Sequence, residues 1–233
     1  GNRVSGAHLE LYSNSNDSET MAEWDTTDST KTFLLLPGEY YIKETGTPNG
    51  YVASERKDFY VDSLGKIVVR EYTSDTGENF NLQDTIVSII SIVNNREIES
   101  YTVNYLEDGT NAVLSSPKTV DNQAYHTEIT ETAIDITGYN QLNPTSKTIT
   151  IETGENVINF YYSKKNNLSY VVNYYEENTT NKVHDSKTVN NQTFGASITE
   201  NAIDIDGYIK NNPISKTIEI AESGTVINFY YSK

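Results

Sequence analysis

"VINFYYSK" occupies Val157–Lys164 and returns unchanged at Val226–Lys233. Read with a period of two, Ile158, Phe160 and Tyr162 fall on one face, while Val157, Asn159 and Tyr161 fall on the other. One wholly apolar face opposite a mixed one is the pattern of a half-buried strand. Its verbatim return says that the fold is built by duplication. "YTVNYLEDGT" from Tyr101 is echoed by "YVVNYYEENT" from Tyr170, and "TEITETAIDITGY" (Thr127–Tyr139) by "ASITENAIDIDGY" (Ala196–Tyr208). "SKTITI" (Ser146–Ile151) returns as "SKTIEI" (Ser215–Ile220). The echoes keep one offset without a gap, since 170 − 101 and 226 − 157 both give 69. The repeats are therefore assigned to 98–165 and 166–233.

Each repeat reads as strand. "YTVNYLE", "KTITIET" and "NVINFYYS" alternate and are rich in Thr, Val, Ile and Tyr, and "EDGT" is a hairpin-type turn. In "TEITETAIDITGY" the spacing of Ile129, Ala133, Ile134 and Ile136 predicts one short helix followed by an extended piece. That pattern suggests a small β-grasp-like unit with four strands. The polar joint "KKNNLS" (Lys164–Ser169) is too short to let two modules tumble freely, so an elongated, end-to-end row is expected.

The first 97 residues are also strand-rich, with "AHLELYS", "TKTFLLLPGEYYIKET", "KDFYVD", "KIVVREY" and "DTIVSIISIV" separated by the turns "LPGE", "TPNG" and "SLGK". Short strands at this spacing argue for an antiparallel sandwich. "IVSIISIV" (Ile86–Val93) is the most apolar stretch and reads as a buried strand. Within "EYYIKETGTPNGY" (Glu39–Tyr51), Tyr40, Ile42 and Glu44 share a side. An acid thus stands on the face that Ile42 marks as core. Residue pattern alone leaves two bland readings open, an acid paired with a nearby cation or one turned to solvent.

Composition narrows function. The chain has 233 residues, a net charge of −16 and 18 tyrosines. Acidic residues outnumber basic ones on both sides of Glu97, which disfavours nucleic acid and anionic membrane as partners. With no cysteine there are no disulfides, thiolate metal sites or thiol nucleophile. No apolar run reaches the ~18 residues of a membrane span, and no basic-then-apolar leader opens the chain. The chain reads as a piece of a longer protein, monomeric as a segment. His8, His126 and His184 stand singly, and no metal site or cofactor is expected. "LEDGTN" (Leu106–Asn111) and "SDTGEN" (Ser74–Asn79) group oxygen ligands, but neither has the spacing of a calcium loop, and turns explain both. No nucleophile elbow or phosphate loop is present.

Two resemblances add to this reading. Val103–Tyr105 and Val172–Tyr174 ("VNY"), Gly138–Tyr139 and Gly207–Tyr208 ("GY"), and Asn159–Tyr162 and Asn228–Tyr231 ("NFYY") resemble the MucBP repeat of Gram-positive surface proteins. The family implies mucin or host-glycan binding, although its members also serve as spacers. Exposed tyrosines can stack on sugar rings, and Tyr161 and Tyr230 are the candidates, against the alternative that they pack core and rim. "GAHLELYS" (Gly6–Ser13), "LLPGEYYIKETGTPNGY" (Leu35–Tyr51) and the ending "SIVNN" (Ser91–Asn95) resemble the CnaB family of prealbumin-like stalk modules. That resemblance implies an isopeptide bond between a first-strand lysine and a last-strand asparagine. Glu44 is then the promoting acid and Asn94 the acceptor, with Asn95 as the alternative. The lysine is expected ahead of "GNRVSGAHLELY". The first lysine is Lys31, which does not match the family position, so no Lys–Asn bond is expected within these residues. Together the resemblances imply a stalk or adhesion segment of a cell-wall-anchored, extracellular surface protein, not a turnover enzyme.

Overall fold

The computed structural model describes residues 3–14, 16–74 and 80–233, and the side chains among them other than those of 16–18, 70–74 and 80–84. The described residues form strands, turns and coil. None of their helices is long and apolar enough to cross a membrane, and in fact no α-helix is found among them. The chain divides into two compact units. One comprises Gly1–Ser100, Asp121–Glu128 and Thr150–Asn156, the other Tyr101–Val120, Ile129–Ile149 and Val157–Lys233.

The first unit is built on a six-stranded sheet. Its strands are β1 (His8–Ser13), β2 (Asn16–Asp25), β3 (Gly38–Gly46), β5 (Lys57–Val61), β6 (Ile67–Ser74) and β7 (Phe80–Val87), in the order β2-β1-β3-β5-β6-β7. The two-residue strands β4 (Tyr51–Val52) and β8 (Asn95–Arg96) pair separately. Leu9, Leu11, Tyr40, Ile42, Phe59, Val61 and Val69 form the buried face. Trp24 of β2, Phe33 and Leu35 of the 26–37 coil, and Ile90 and Ile92 of the 88–94 coil, pack against it. "IVSIISIV" is therefore not the buried strand expected. The sheet ends at Val87, Ile90 and Ile92 turn to the core, and Ile86, Ile89 and Val93 are exposed. Ser88 falls on one period-two face of this stretch and Ser91 on the other, so neither face is the polar one that would fix a strand register, and coil can cover a sheet with it just as well. A groove of about 850 Å³ opens over this face, bordered by Arg3, Trp24, Phe33, Ile42, Phe59 and Asn94.

The repeats share one topology. In the first, β9 (Ile98–Glu107), β10 (Val113–Ala124), β12 (Tyr139–Gln141) and β14 (Asn156–Lys164) run in the order β10-β9-β14-β12, and β11 (Glu128–Thr132) pairs with β13 (Ser146–Thr150). In the second, β15 (Leu168–Glu176), β16 (Lys182–Gln192), β18 (Ile209–Lys210) and β20 (Thr225–Ser232) run β16-β15-β20-β18, and β17 (Ser197–Asn201) pairs with β19 (Ser215–Glu219). β15 and β20 are parallel, with Val172 opposite Ile227 and Tyr174 opposite Phe229. The alternation of "VINFYYSK" holds: Ile158, Phe160 and Tyr162, like Ile227, Phe229 and Tyr231, are fully buried.

The short helix expected in Thr127–Tyr139 does not form. Glu128–Thr132 is a strand, and the rest is coil leading to a turn at Gly138. Three β-branched residues, Ile129, Thr130 and Thr132, favour the pleat, and the Thr130 and Thr148 hydroxyls meet across the pair at 2.8 Å. Thr199 and Thr217 repeat that contact. The turn at "EDGT" forms as expected, with Gly109 at φ 79°. "SDTGEN" lies outside the described residues beyond Ser74.

Candidate functional site

β3 carries Glu44 to the inner face because its side chains alternate. Tyr40, Ile42 and Glu44 are buried and Lys43 is exposed. Glu44 is 8% exposed. Its Oε2 accepts a 2.6 Å hydrogen bond from the Ser54 amide, and its Oε1 accepts one of the same length from Asn94 Nδ2. Asn94 also donates a longer bond to the Val52 carbonyl. Fifty residues of sequence separate Glu44 from Asn94, yet the β4–β8 ladder, with Val52 opposite Asn95, brings them together. Asn95 lies in that ladder and is exposed. Of the two asparagines, Asn94 is thus the one at the acid, and it borders the groove. Tyr41, on the opposite face of this strand, is buried instead by stacking on Tyr12 and lies 3.6 Å beneath the Arg56 guanidinium.

Glu44 differs from the two carboxylates that the repeats hold by lysine. Glu131 accepts from Lys118 Nζ at 2.5 Å and from the Tyr101 hydroxyl at 2.6 Å, and Glu200 accepts from Lys187 and Tyr170 at 2.6 Å each. The Lys118 and Tyr101 bonds hold the Glu131 carboxyl below its usual range. Burial works against ionising Glu200, but the bonds from Lys187 and Tyr170 outweigh it and its pKa is lowered. Burial together with Glu200 pushes the Tyr170 phenol up to about 12. These triads were not singled out from sequence. The signal was available, because Tyr, Lys and Glu all persist across the 69-residue offset.

Tyr161 and Tyr230 take equivalent places on the outer faces of β14 and β20. Tyr161 is half-buried and Tyr230 is 40% exposed. Lys147 lies 5.8 Å over the Tyr161 ring and Lys216 5.8 Å over that of Tyr230. The lysines are anchored at 2.6 Å on the carbonyls of Asn159 and Asn228. Beside each ring an amide pair bridges the central strands, Asn104 with Asn159 at 2.8 Å and Asn173 with Asn228 at 3.0 Å. The second repeat adds Tyr175, 6.2 Å from Tyr230. Neither ring belongs to the buried core.

The histidines separate. His8 Nδ1 meets Asp25 at 2.8 Å, and His8, Glu10 and Glu23 bring ligand atoms within 4.8 Å of one another. The Asp25 bond raises the His8 pKa. Cross-strand neighbours on β1 and β2 supply this cluster, which residue spacing along the chain does not display. His184 packs edge-on against Tyr174, and His126 against Tyr125.

Comparison with known proteins fits the N-terminal region. The prealbumin-like fold domain family named SpaA matches residues 1–76. No curated protein matches the chain. Among solved structures, the TIE protein of Bacillus anthracis aligns at 14% identity and TM-score 0.38, over 100% of this chain and 52% of that one. The chain thus spans about half the length of that protein. The pilus-presented adhesin Cpa aligns at 10% identity and TM-score 0.26, over 98% of this chain and 94% of that one. Mub-RV aligns at 14% identity and TM-score 0.20, over 57% of this chain and 98% of that one. The prealbumin-like fold matched over residues 1–76 is that of a structural module, not of a turnover enzyme.

Proposed function

We propose that the chain is an extracellular stalk or adhesion segment of a Gram-positive, cell-wall-anchored surface protein. It comprises a CnaB-like module over 1–97 and two MucBP-like repeats over 98–165 and 166–233. The observation that carries this is the union of a prealbumin-like match at residues 1–76 with a gapless duplication of one all-β unit. The repeats offer a glycan-binding face on β14 and β20. Tyr161 and Tyr230 supply flat apolar rings, while Asn and Lys groups beside them supply donors for sugar hydroxyls. The face recurs at the same positions of both copies, as a repeated binding surface should. The test is binding of the full chain to immobilised mucin before and after deglycosylation. Saturable binding, lost on deglycosylation and weakened at least about fivefold by Tyr161→Ala or Tyr230→Ala, is expected. Absence of saturable binding makes the repeats spacers.

The pairing of Glu44 with Asn94 supports a second element of the same reading, a covalent link in the parent protein. The neutral ε-amine of a lysine on a strand laid in the groove attacks Cγ of Asn94. A C–N bond forms, the Cγ–Nδ2 bond breaks, and ammonia leaves. Glu44, 2.6 Å from Nδ2, passes the amine's proton to that nitrogen as it departs. Such a link blocks unravelling under load. Lys31 borders the groove but stands outside this geometry as read from sequence. The intact mass of the 233-residue chain is therefore expected to equal its sequence mass. A mass one ammonia lower would overturn that assignment.

A further inference from the structure

Three Gly-Tyr turns share one backbone geometry. Gly50, Gly138 and Gly207 have φ of 79°, 81° and 79°. The following tyrosine amides close the turns onto the carbonyls of Pro48, Ile136 and Ile205 at 3.2, 3.1 and 3.0 Å. Two of the turns are covered in the same way. In the first unit the Tyr125 ring lies so close over Gly50 that an added Cβ would stand 2.2 Å from it. In the second, the Phe194 ring lies over Gly138 with a corresponding 2.4 Å. Tyr125 and Phe194 are equivalent residues, 69 apart.

The linker clasps both sockets identically. The Glu97 amide donates to the Gly50 carbonyl and the Tyr125 amide to that of Glu97, both at 2.9 Å. The Lys165 amide donates to the Gly138 carbonyl and the Phe194 amide to that of Lys165, both at 2.8 Å. Each ring also meets the turn tyrosine edge-on, Tyr125 on Tyr51 at 5.9 Å and Phe194 on Tyr139 at 5.8 Å. Glu222 adds a latch, accepting from the Gly138 amide and pairing with Lys165. Gly50 and Gly138 are buried as a result.

Gly207 has the same turn but is exposed, and a Cβ built there meets nothing within 4 Å. Beside it Ile209 is 67% exposed, where the first repeat has Asn140. We infer that Gly207–Tyr208 is a preformed docking socket whose occupant is a further repeat of the same kind, entering directly after Lys233 and seating an aromatic ring on Gly207. Lys233 corresponds to Lys164, so the next residue stands where Lys165 does. The socket reads a ring and a linker amide, not a sequence. A bare αL glycine is what permits the close approach, because any side chain there would strike the ring.

The test appends a second copy of Lys165–Lys233 to the full chain and follows amide exchange. The appended linker amide corresponding to Lys165 is expected to exchange at least about tenfold more slowly than an unprotected amide. Alanine at the appended counterpart of Phe194 should abolish that protection while the copy's core amides stay protected. A parallel extension by Glu97–Lys164, which brings the Glu97 linker amide and Tyr125 as the ring, should behave alike. Unprotected linker exchange beside a folded copy would overturn the inference, as would failure of both extensions to fold. Self-association of the unextended chain through Gly207, abolished by Gly207→Val, would assign the socket to a second copy instead and equally overturn it.

Discussion

The N-terminal sheet and the repeats both hold a carboxylate away from water, and they satisfy it with different chemistry. In each repeat the acid has a lysine and a phenol as donors. In the sheet Glu44 has a backbone amide and a carboxamide. A cation-paired acid is a cross-brace, tying β10 or β16 to the neighbouring strands. An acid hydrogen-bonded only to neutral donors has no counter-charge to offset its desolvation. Under the proposed link, its place beside Asn94 at the edge of the groove is what distinguishes Glu44 from the braces of the repeats.

Removing each acid sharpens the contrast. Glu44→Ala leaves the Ser54 amide and the Asn94 carboxamide without their acceptor, and a loss of about 2–3 kcal/mol is expected. Trp24 is the chain's single tryptophan and packs on the core of this sheet, so its fluorescence follows that module alone during denaturation. If Glu44→Ala leaves the Trp24 transition where it was, Glu44 contributes nothing to the fold. Its role would then have to be wholly chemical.

Alternation exposed the inward acid, because period two at Tyr40, Ile42 and Glu44 depends on nothing beyond the strand itself. The same holds for Ile158, Phe160 and Tyr162. Contacts that cross strands were less legible. Lys118 and Glu131 are 13 residues apart and Tyr101 and Glu131 are 30, so only the strand order brings them together. "TEITETAIDITGY" misled because apolar spacing near 3.6 outweighed three β-branched residues whose partner strand, β13, lies far along the chain. "IVSIISIV" misled because apolar content without a period-two face fixes neither backbone pairing nor which of its residues turn inward. The Gly-Tyr turns were visible as a motif, but the rings that cover two of them come from segments 56 and 75 residues away (Gly50 to Tyr125 is 75, Gly138 to Phe194 is 56).

The repeats make the milder prediction, and their duplication gives it an internal control. Glu131→Gln and Glu200→Gln keep an acceptor for Tyr101 and Tyr170 but end the pairing with Lys118 and Lys187. Both lysines are about half exposed, so solvent screens the pair, and each change is expected to cost only about 1 kcal/mol. Because the folded-state pKa of both acids lies below the ordinary value of 4.5, their stabilisation is complete above pH 4.5 and drains away as pH falls through the folded pKa. Denaturation of the repeats between neutral pH and pH 3, followed by near-ultraviolet tyrosine signals, should therefore steepen below 4.5, and the double variant should flatten that slope. Equal effects at Glu131 and Glu200 would mark one brace used twice. A larger effect at one of them would show that the two repeats, alike in backbone, have diverged in how they carry charge.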